Sequence, residues 1–155
     1  MTLRDTDPVA WLLAHEEIRQ LAARYAVALD ARDLETLVRL FVDDVQVGRT
    51  ERGRDSLRAN FAEQLRGLGV TILHVANHVI DVVDEDHATG VVSCRAEIER
   101  GPDRRRIVQS IQYHDAYERR SGHWLFVRRR HLLFYDGDTP GELPGRFPTW
   151  SAFYG

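Results

Sequence analysis

Two polar side chains stand where the apolar pattern of this chain calls for dryness. Asp30 directly follows Leu29 at the end of a helical stripe, and His74 interrupts the run Thr71-Ile72-Leu73-His74-Val75-Ala76. A carboxylate held away from water needs a partner, because isolated buried charge is costly, and an imidazole is a natural one. If Asp30 accepts a hydrogen bond from one ring nitrogen, the other becomes a stronger base near neutral pH, able to take a proton from carbon. Tyr25, five residues before Asp30 and on or near the same stripe, adds a phenol that can bond a reacting oxygen. Taken singly, each residue also has a plain reading: Asp30 as a solvated turn residue, His74 as a hydrogen-bonded core histidine.

Further candidates follow from strand alternation, in which residues two apart share a face. Trp124, Phe126, Arg128 and Arg130 form one such row, placing two guanidinium groups beyond an apolar start; facing inward, Arg128 or Arg130 would stabilise an enolate or a leaving group. Arg128-Arg129-Arg130 is equally a charge run of the kind that usually lies in solvent. Gln109, Ile111, Tyr113 and Asp115 form a second row. His78 shares parity with His74 but lies about 13 Å along an unbroken strand, too far to share a metal unless a bulge intervenes.

Composition narrows the chemistry. All 21 positive side chains are arginine, so no lysine is present to form a Schiff base. The formal net charge of -3 does not favour nucleic acid, and the single Cys94 excludes paired-cysteine zinc sites. There is no glycine-rich phosphate loop and no ligand cluster, so neither metal nor other cofactor is expected. No apolar run suits a membrane span and the N-terminus does not read as a signal peptide, which makes a cytoplasmic location the expectation.

The elements that must position these groups come in two blocks. Helical spacing runs from Asp7-Pro8 to about Asp30-Ala31, through Asp33 to Phe41, and from Arg54 to Gly67. A short strand, Val45 to Val47, and a polar loop from Gly48 to Gly53 lie between the second and third helices. Val70 to Val83, Ala88 to Ile98, Arg106 to Tyr117 and Trp124 to Phe134 then read as long strands joined by tight turns. Three helices followed by antiparallel strands argue an α+β fold, with a strongly bent sheet forming a cone whose mouth suits a ligand. Residues 136–155 form an irregular, aromatic tail that closes the pocket mouth or packs at an oligomer interface.

The segments EIRQLAARYAVALDARDLETLVRLFVDDVQV, LHVANHVIDVVDEDHATG and YERRSGHWLFVRRR resemble the SnoaL-like branch of the NTF2-like superfamily, over about Asp7 to Phe134. The resemblance implies one cone-shaped domain over 1–155, three N-terminal helices on a curved, mainly antiparallel sheet. It implies Asp30 and His74 as an acid-base dyad, as in scytalone dehydratase, bile-acid 7α-dehydratase and hexachlorocyclohexane dehydrochlorinase type members, with Tyr25 on the substrate oxygen. An arginine contributes to catalysis in related dehydratases, with Arg130 preferred here. Tyr113, Arg128 and Phe126 are the implied substrate contacts, and Asn77 a brace for its strand. The stretch Glu97-Ile98-Glu99 departs from the pattern, since scytalone dehydratase has a second pocket histidine there. The expected activity is a cofactor-independent lyase removing water or another leaving group from a small or polycyclic hydrophobic substrate. A polyketide cyclase or ketosteroid-type isomerase is the alternative, and a non-catalytic ligand-binding or dimerisation module the rival. The expected partners are a small hydrophobic molecule and further copies of the chain, as homodimer or homotrimer.

Overall fold

A one-turn helix α1 (Leu3–Thr6) precedes α2 (Pro8–Asp30) in a computed structural model that describes residues 1–137 and 139–140. Asp7 caps α2 by accepting the Ala10 N–H, and Pro8 occupies the first turn, where a missing N–H costs nothing. The predicted stripe of Ile18, Leu21, Ala22, Tyr25 and Leu29 is buried. Asp33 likewise caps α3 (Leu34–Arg39) through the Thr36 N–H. The strands β1 (Gln46–Val47) and β2 (Glu51–Arg52) pair as a small hairpin, so the segment expected as a loop, Gly48 to Gly53, contains a two-residue strand. Helix α4 (Arg54–Leu65) follows and buries Leu57 and Phe61.

The remainder is one antiparallel sheet in sequence order: β3 (Leu68–Val82), β4 (His87–Arg100), β5 (Arg105–Arg120), β6 (His123–Asp136) and β7 (Thr139–Pro140). This is the expected α+β arrangement of helices on an unclosed, curved sheet. Residue 138 and residues 141–155, which carry the aromatic tail, lie outside the described residues. Strands of 14 to 16 residues bend where their register slips. On β3, Val75 faces Cys94 but His78 faces Val92, so two residues, Ala76 and Asn77, oppose one. On β6, Arg128 faces Ala116 but Phe126 faces Tyr117, which leaves Val127 as the extra residue. Each bulge inverts which side chains look toward the helices.

The consequence is visible along every rung. Thr71, Leu73 and Val75 face Ile98, Ala96 and Cys94 on the core side; beyond the bulge His78, Ile80 and Val82 take over, against Val92, Gly90 and Ala88. At Gly90 a methyl group would lie 3.0 Å from the Tyr117 hydroxyl and 3.0 Å from the Val79 carbonyl oxygen. We expect Gly90→Ala to displace the Tyr117 ring and lower stability by about 1–3 kcal/mol, read as a shift of the urea midpoint at unchanged slope.

Candidate functional site

Asp30 ends α2 over the free edge of β3, and its carboxylate is already engaged. Thr71 donates its hydroxyl to Oδ1 at 2.9 Å and Leu73 its backbone N–H to Oδ2 at 2.9 Å. Arg32, with φ of 59°, folds back to donate to the Thr71 hydroxyl at 2.7 Å, the Leu29 carbonyl at 2.8 Å and the Gly69 carbonyl. The four residues form a clasp that ties the helix end to the edge strand and occupies one of its unpaired donors. His74 is not part of it. It lies opposite Arg95 on the exposed face of the sheet, so the Asp30–His74 bond expected from the sequence does not form. Asn77 is exposed in the β3 bulge.

The charges that do meet inside the fold are Asp115 and Arg129, whose side chains are 0% and 3% exposed. Arg129 engages side-on, Nε donating to Oδ1 at 2.9 Å and Nη2 to Oδ2 at 2.8 Å. Tyr117 donates its hydroxyl to Oδ2 at 2.9 Å, and His78 Nε2 lies 3.1 Å from that hydroxyl. Since the phenol proton goes to Asp115, Nε2 donates and His78 is the neutral Nε2–H tautomer. Burial pushes the His78 pKa down to about 4, Asp115 opposing and Arg129, Arg19 and His15 adding to the shift. Burial also works against the Arg129 charge, but the Asp115 hydrogen bonds and charge outweigh it and hold its pKa above the ordinary value.

The guanidinium is caged by aromatic rings, its carbon 4.1 Å from the Tyr113 centroid, 4.4 Å from Tyr25 and 4.5 Å from Phe126. Side-on pairing leaves Nη1 turned away from Asp115, and this nitrogen is buried with no hydrogen-bond partner among the described residues. Arg129 lines a cavity of about 430 Å³ together with Tyr25, Tyr113, Phe41, Phe61, Leu57, Val45 and Val47, while Gln46, Gly48, Asn60, Gln64, Arg128 and His131 complete it. Burial pushes the Tyr25 pKa up to about 12, and burial with the neighbouring Tyr25 raises that of Tyr113, so both phenols keep their protons as donors at neutral pH. His131 stacks edge-on to Tyr113 with centroids 5.6 Å apart. A second cavity of about 330 Å³ near the β3–β4 turn is lined by Asp7, Glu17, Glu85, Arg119 and Trp124 among others, away from this constellation.

The SnoaL-like domain family matches residues 10–130. The chain belongs to that family. A candidate scytalone dehydratase from Novosphingobium aromaticivorans superposes with a TM-score of 0.75 at 25% identity, covering 89% of this chain and 97% of its own. The hexachlorocyclohexane dehydrochlorinase LinA type 2 gives 0.76 at 20% identity, over 92% and 98% of the two chains. LinA-type3 from Novosphingobium barchaimii gives 0.71 at 20%, over 92% and 99%. At these identities the two dehydrochlorinases establish the NTF2-like fold of this SnoaL-like chain and nothing finer. No curated protein matches its sequence.

Of the residues singled out from the sequence, this SnoaL-like cavity brings together Tyr25, Tyr113 and Arg128. Phe126 lies just beneath, fully buried against Phe41 and Arg129. Arg130 stands opposite His114, exposed on the outer face, because the β6 bulge gives the inward position to Arg129. Alternation therefore missed Arg129 and His131, and it put His78 on the face of His74, whereas only His78 turns inward. One signal was present: Asp115 shares a row with Ile111 and Tyr113, and a carboxylate on a core row demands a cation.

Asp115→Ala, which strands the Arg129 charge, should lower stability by about 3–5 kcal/mol, whereas His74→Ala should stay within about 0.5 kcal/mol, both read by denaturant titration. His78 supplies a pH signature. The unfolded chain binds a proton there near pH 6.5 and the folded chain only near pH 4. Its contribution to stability is therefore whole above pH 6.5 and lost as pH falls toward 4. The slope of stability against pH in that window should be shallower in His78→Gln.

Proposed function

We propose that the chain is a cofactor-independent lyase of dehydratase type, acting on a small, ring-containing hydrophobic substrate in the Tyr25–Arg129 cavity. The observation that carries this is the buried Nη1 of Arg129, without a hydrogen-bond partner among the described residues, on a side chain that lines the cavity with the protonated phenols Tyr25 and Tyr113. Such preorganised donors, set in a wall shielded from water, favour an oxygen that gains negative charge when a proton is removed from the neighbouring carbon. His131 is the proton acceptor in this proposal. Among the described lining residues it is the side chain whose ordinary pKa lies near neutrality. The proton passes to an imidazole nitrogen, the electron pair moves toward the oxygen held by Arg129 and the phenols, and its return breaks the carbon–oxygen bond of the leaving hydroxyl, which takes the proton from His131 and departs as water. The candidate scytalone dehydratase among the structural relatives supports elimination over other proton-transfer chemistry.

Mass spectrometry of a panel of cyclic β-hydroxy ketones tests the reading, since elimination yields a product lighter by the leaving group and isomerisation or cyclisation without loss does not. His131→Gln should lower turnover by about 10²–10⁴-fold while the melting temperature holds. Tyr25→Phe should reduce it less, and His74→Ala should leave it unchanged. Products of unchanged mass, or full turnover by His131→Gln, would overturn the assignment.

A further inference from the structure

One wall of the Tyr25–Arg129 cavity is a helix tied down at one end. Leu57, Asn60, Phe61 and Gln64 of α4 enter the lining at the three- and four-residue steps of a single helix face. The helix packs chiefly on α3 and on the β1–β2 hairpin, with the cavity between it and the strands that carry Tyr113, Arg129 and His131. Its polar ties to other elements all lie at its start. Gly53 donates its N–H to the Val45 carbonyl at 2.8 Å, Arg54 gives Nε and Nη2 to the Phe41 carbonyl at 3.0 and 2.6 Å, and Arg58 pairs with Glu35 at 3.0 Å. From Ala59 to Gly67 the side-chain bonds stay local, Gln64 to Asn60 and Arg66 to Glu63, and among the described residues none reaches another element.

The neighbouring helices end differently. α2 finishes in the Asp30 clasp, and the residues after α3 exchange backbone bonds with Phe126, Val42 N–H to its carbonyl at 2.9 Å and its own N–H to the Leu40 carbonyl at 2.8 Å. α4 instead runs into a joint of two exposed residues, Arg66 and Gly67. Gly67 has φ of 80°, in the left-handed region that disfavours a side chain, and beyond it the Gly69 carbonyl is held by Arg32. At the other end Gly53 has φ of 95° and ψ of 163°, a combination open essentially to glycine alone. The second half of α4 is held down by little. Phe61 is buried, its ring 6.1 Å from Tyr25 and 6.2 Å from Phe41, and Leu65 is half-buried, while Ala59, Asn60, Ala62, Glu63 and Gln64 are exposed.

From the one-ended anchoring and the single aromatic latch we infer that α4 is a tethered lid over the cavity. The helix pivots on its first turns, from Gly53 to Arg58, and its second half tilts away from Tyr25, withdrawing Phe61 to let a small molecule enter or leave. Elements that open locally are those with few buried apolar contacts, and Phe61 is the chief one in this half. The joint limits the travel. Three residues from Arg66 to Leu68 span about 10 Å at most, so α4 tilts without leaving the domain. This rests on the reading of the cavity as the substrate site and adds how that site is reached.

Double electron–electron resonance on the full chain tests the tilt. Spin labels at Ala62→Cys and Thr89→Cys join the second half of α4 to the outer face of the sheet, and labels at Asp55→Cys and Thr89→Cys join its first turn to the same point. All three positions are exposed, and the native Cys94 is buried. The first pair should show two distance populations and the second pair one. A methyl group at Gly67 meets no atom within 4 Å, so Gly67→Ala acts only through the backbone of the joint, and it should raise the open population about fivefold. Gly122→Ala, with a similar φ of 81° in the β5–β6 turn and equally open surroundings, should not. Access to the cavity is read from the rate at which dithionitrobenzoate reacts with Val47→Cys, a buried lining position. That rate should rise by a similar factor in Gly67→Ala over Gly122→Ala. The same distance spread in both label pairs, or equal reaction rates in the two glycine variants, would overturn the lid. None of these measurements involves turnover. A moving α4 with no elimination on any substrate removes the lyase assignment alone, and elimination under a fixed α4 removes the lid alone.

Discussion

The fold is organised around a charge pair that it keeps almost wholly from water. Removing a carboxylate and a guanidinium from solvent costs several kcal/mol per ion, offset only when geometry is good and every remaining lone pair is satisfied. Asp115 meets that condition through two Arg129 bonds and the Tyr117 hydroxyl. Much of the neighbourhood follows from it. Tyr117 must lie flat along the rung of Gly90, so that position has no room for a side chain. The rings of Tyr25, Tyr113 and Phe126 crowd the guanidinium because a desolvated cation gains about 2 kcal/mol against an aromatic face. What the pair leaves over is one nitrogen, Nη1, buried with no partner among the described residues.

Local structure was largely legible in the sequence. Helix starts at Asp7-Pro8 and Asp33 were marked by side chains that cap in the structure, and the three- and four-residue apolar spacing from Ile18 to Leu29 named the buried face of α2. The four long strands and their turns fell within a few residues of their observed limits, because glycine, proline and aspartate clusters punctuate them. Glu51–Arg52 escaped notice because a two-residue strand has too few side chains to show a period.

The site was half legible for a specific reason. Alternation assigns a face correctly only while the register is unbroken, and two of the three strands that carry site residues, β3 and β6, contain a bulge. On β3 the slip turns His78 inward and leaves His74 outside; on β6 it chooses Arg129 over Arg130. A bulge depends on pairing with the neighbouring strand, so no feature of either segment alone reports it. Tyr25 and Tyr113 were found because one lies on an uninterrupted helix and the other in the middle of an unbroken run on β5. Asp30 was correctly seen as a carboxylate in need of partners, but its partners are Thr71 and a backbone N–H rather than an imidazole. An edge strand beside a helix end supplies such donors without any sequence motif.

The β3 bulge also governs which kinds of genetic change the strand can absorb. Ala76 and Asn77 are both exposed, so exchanging either for another residue leaves every neighbour where it was. Deleting either one restores simple alternation and is a different event altogether. Val75 and His78 then stand two apart, so Thr71, Leu73 and Val75 keep their inward face together with His78, Ile80 and Val82, but the extra residue that bends the strand is gone. A loss of three nucleotides would leave every side chain on its own side and straighten the strand, so this stretch is tolerant in composition while its length sets the bend of the sheet.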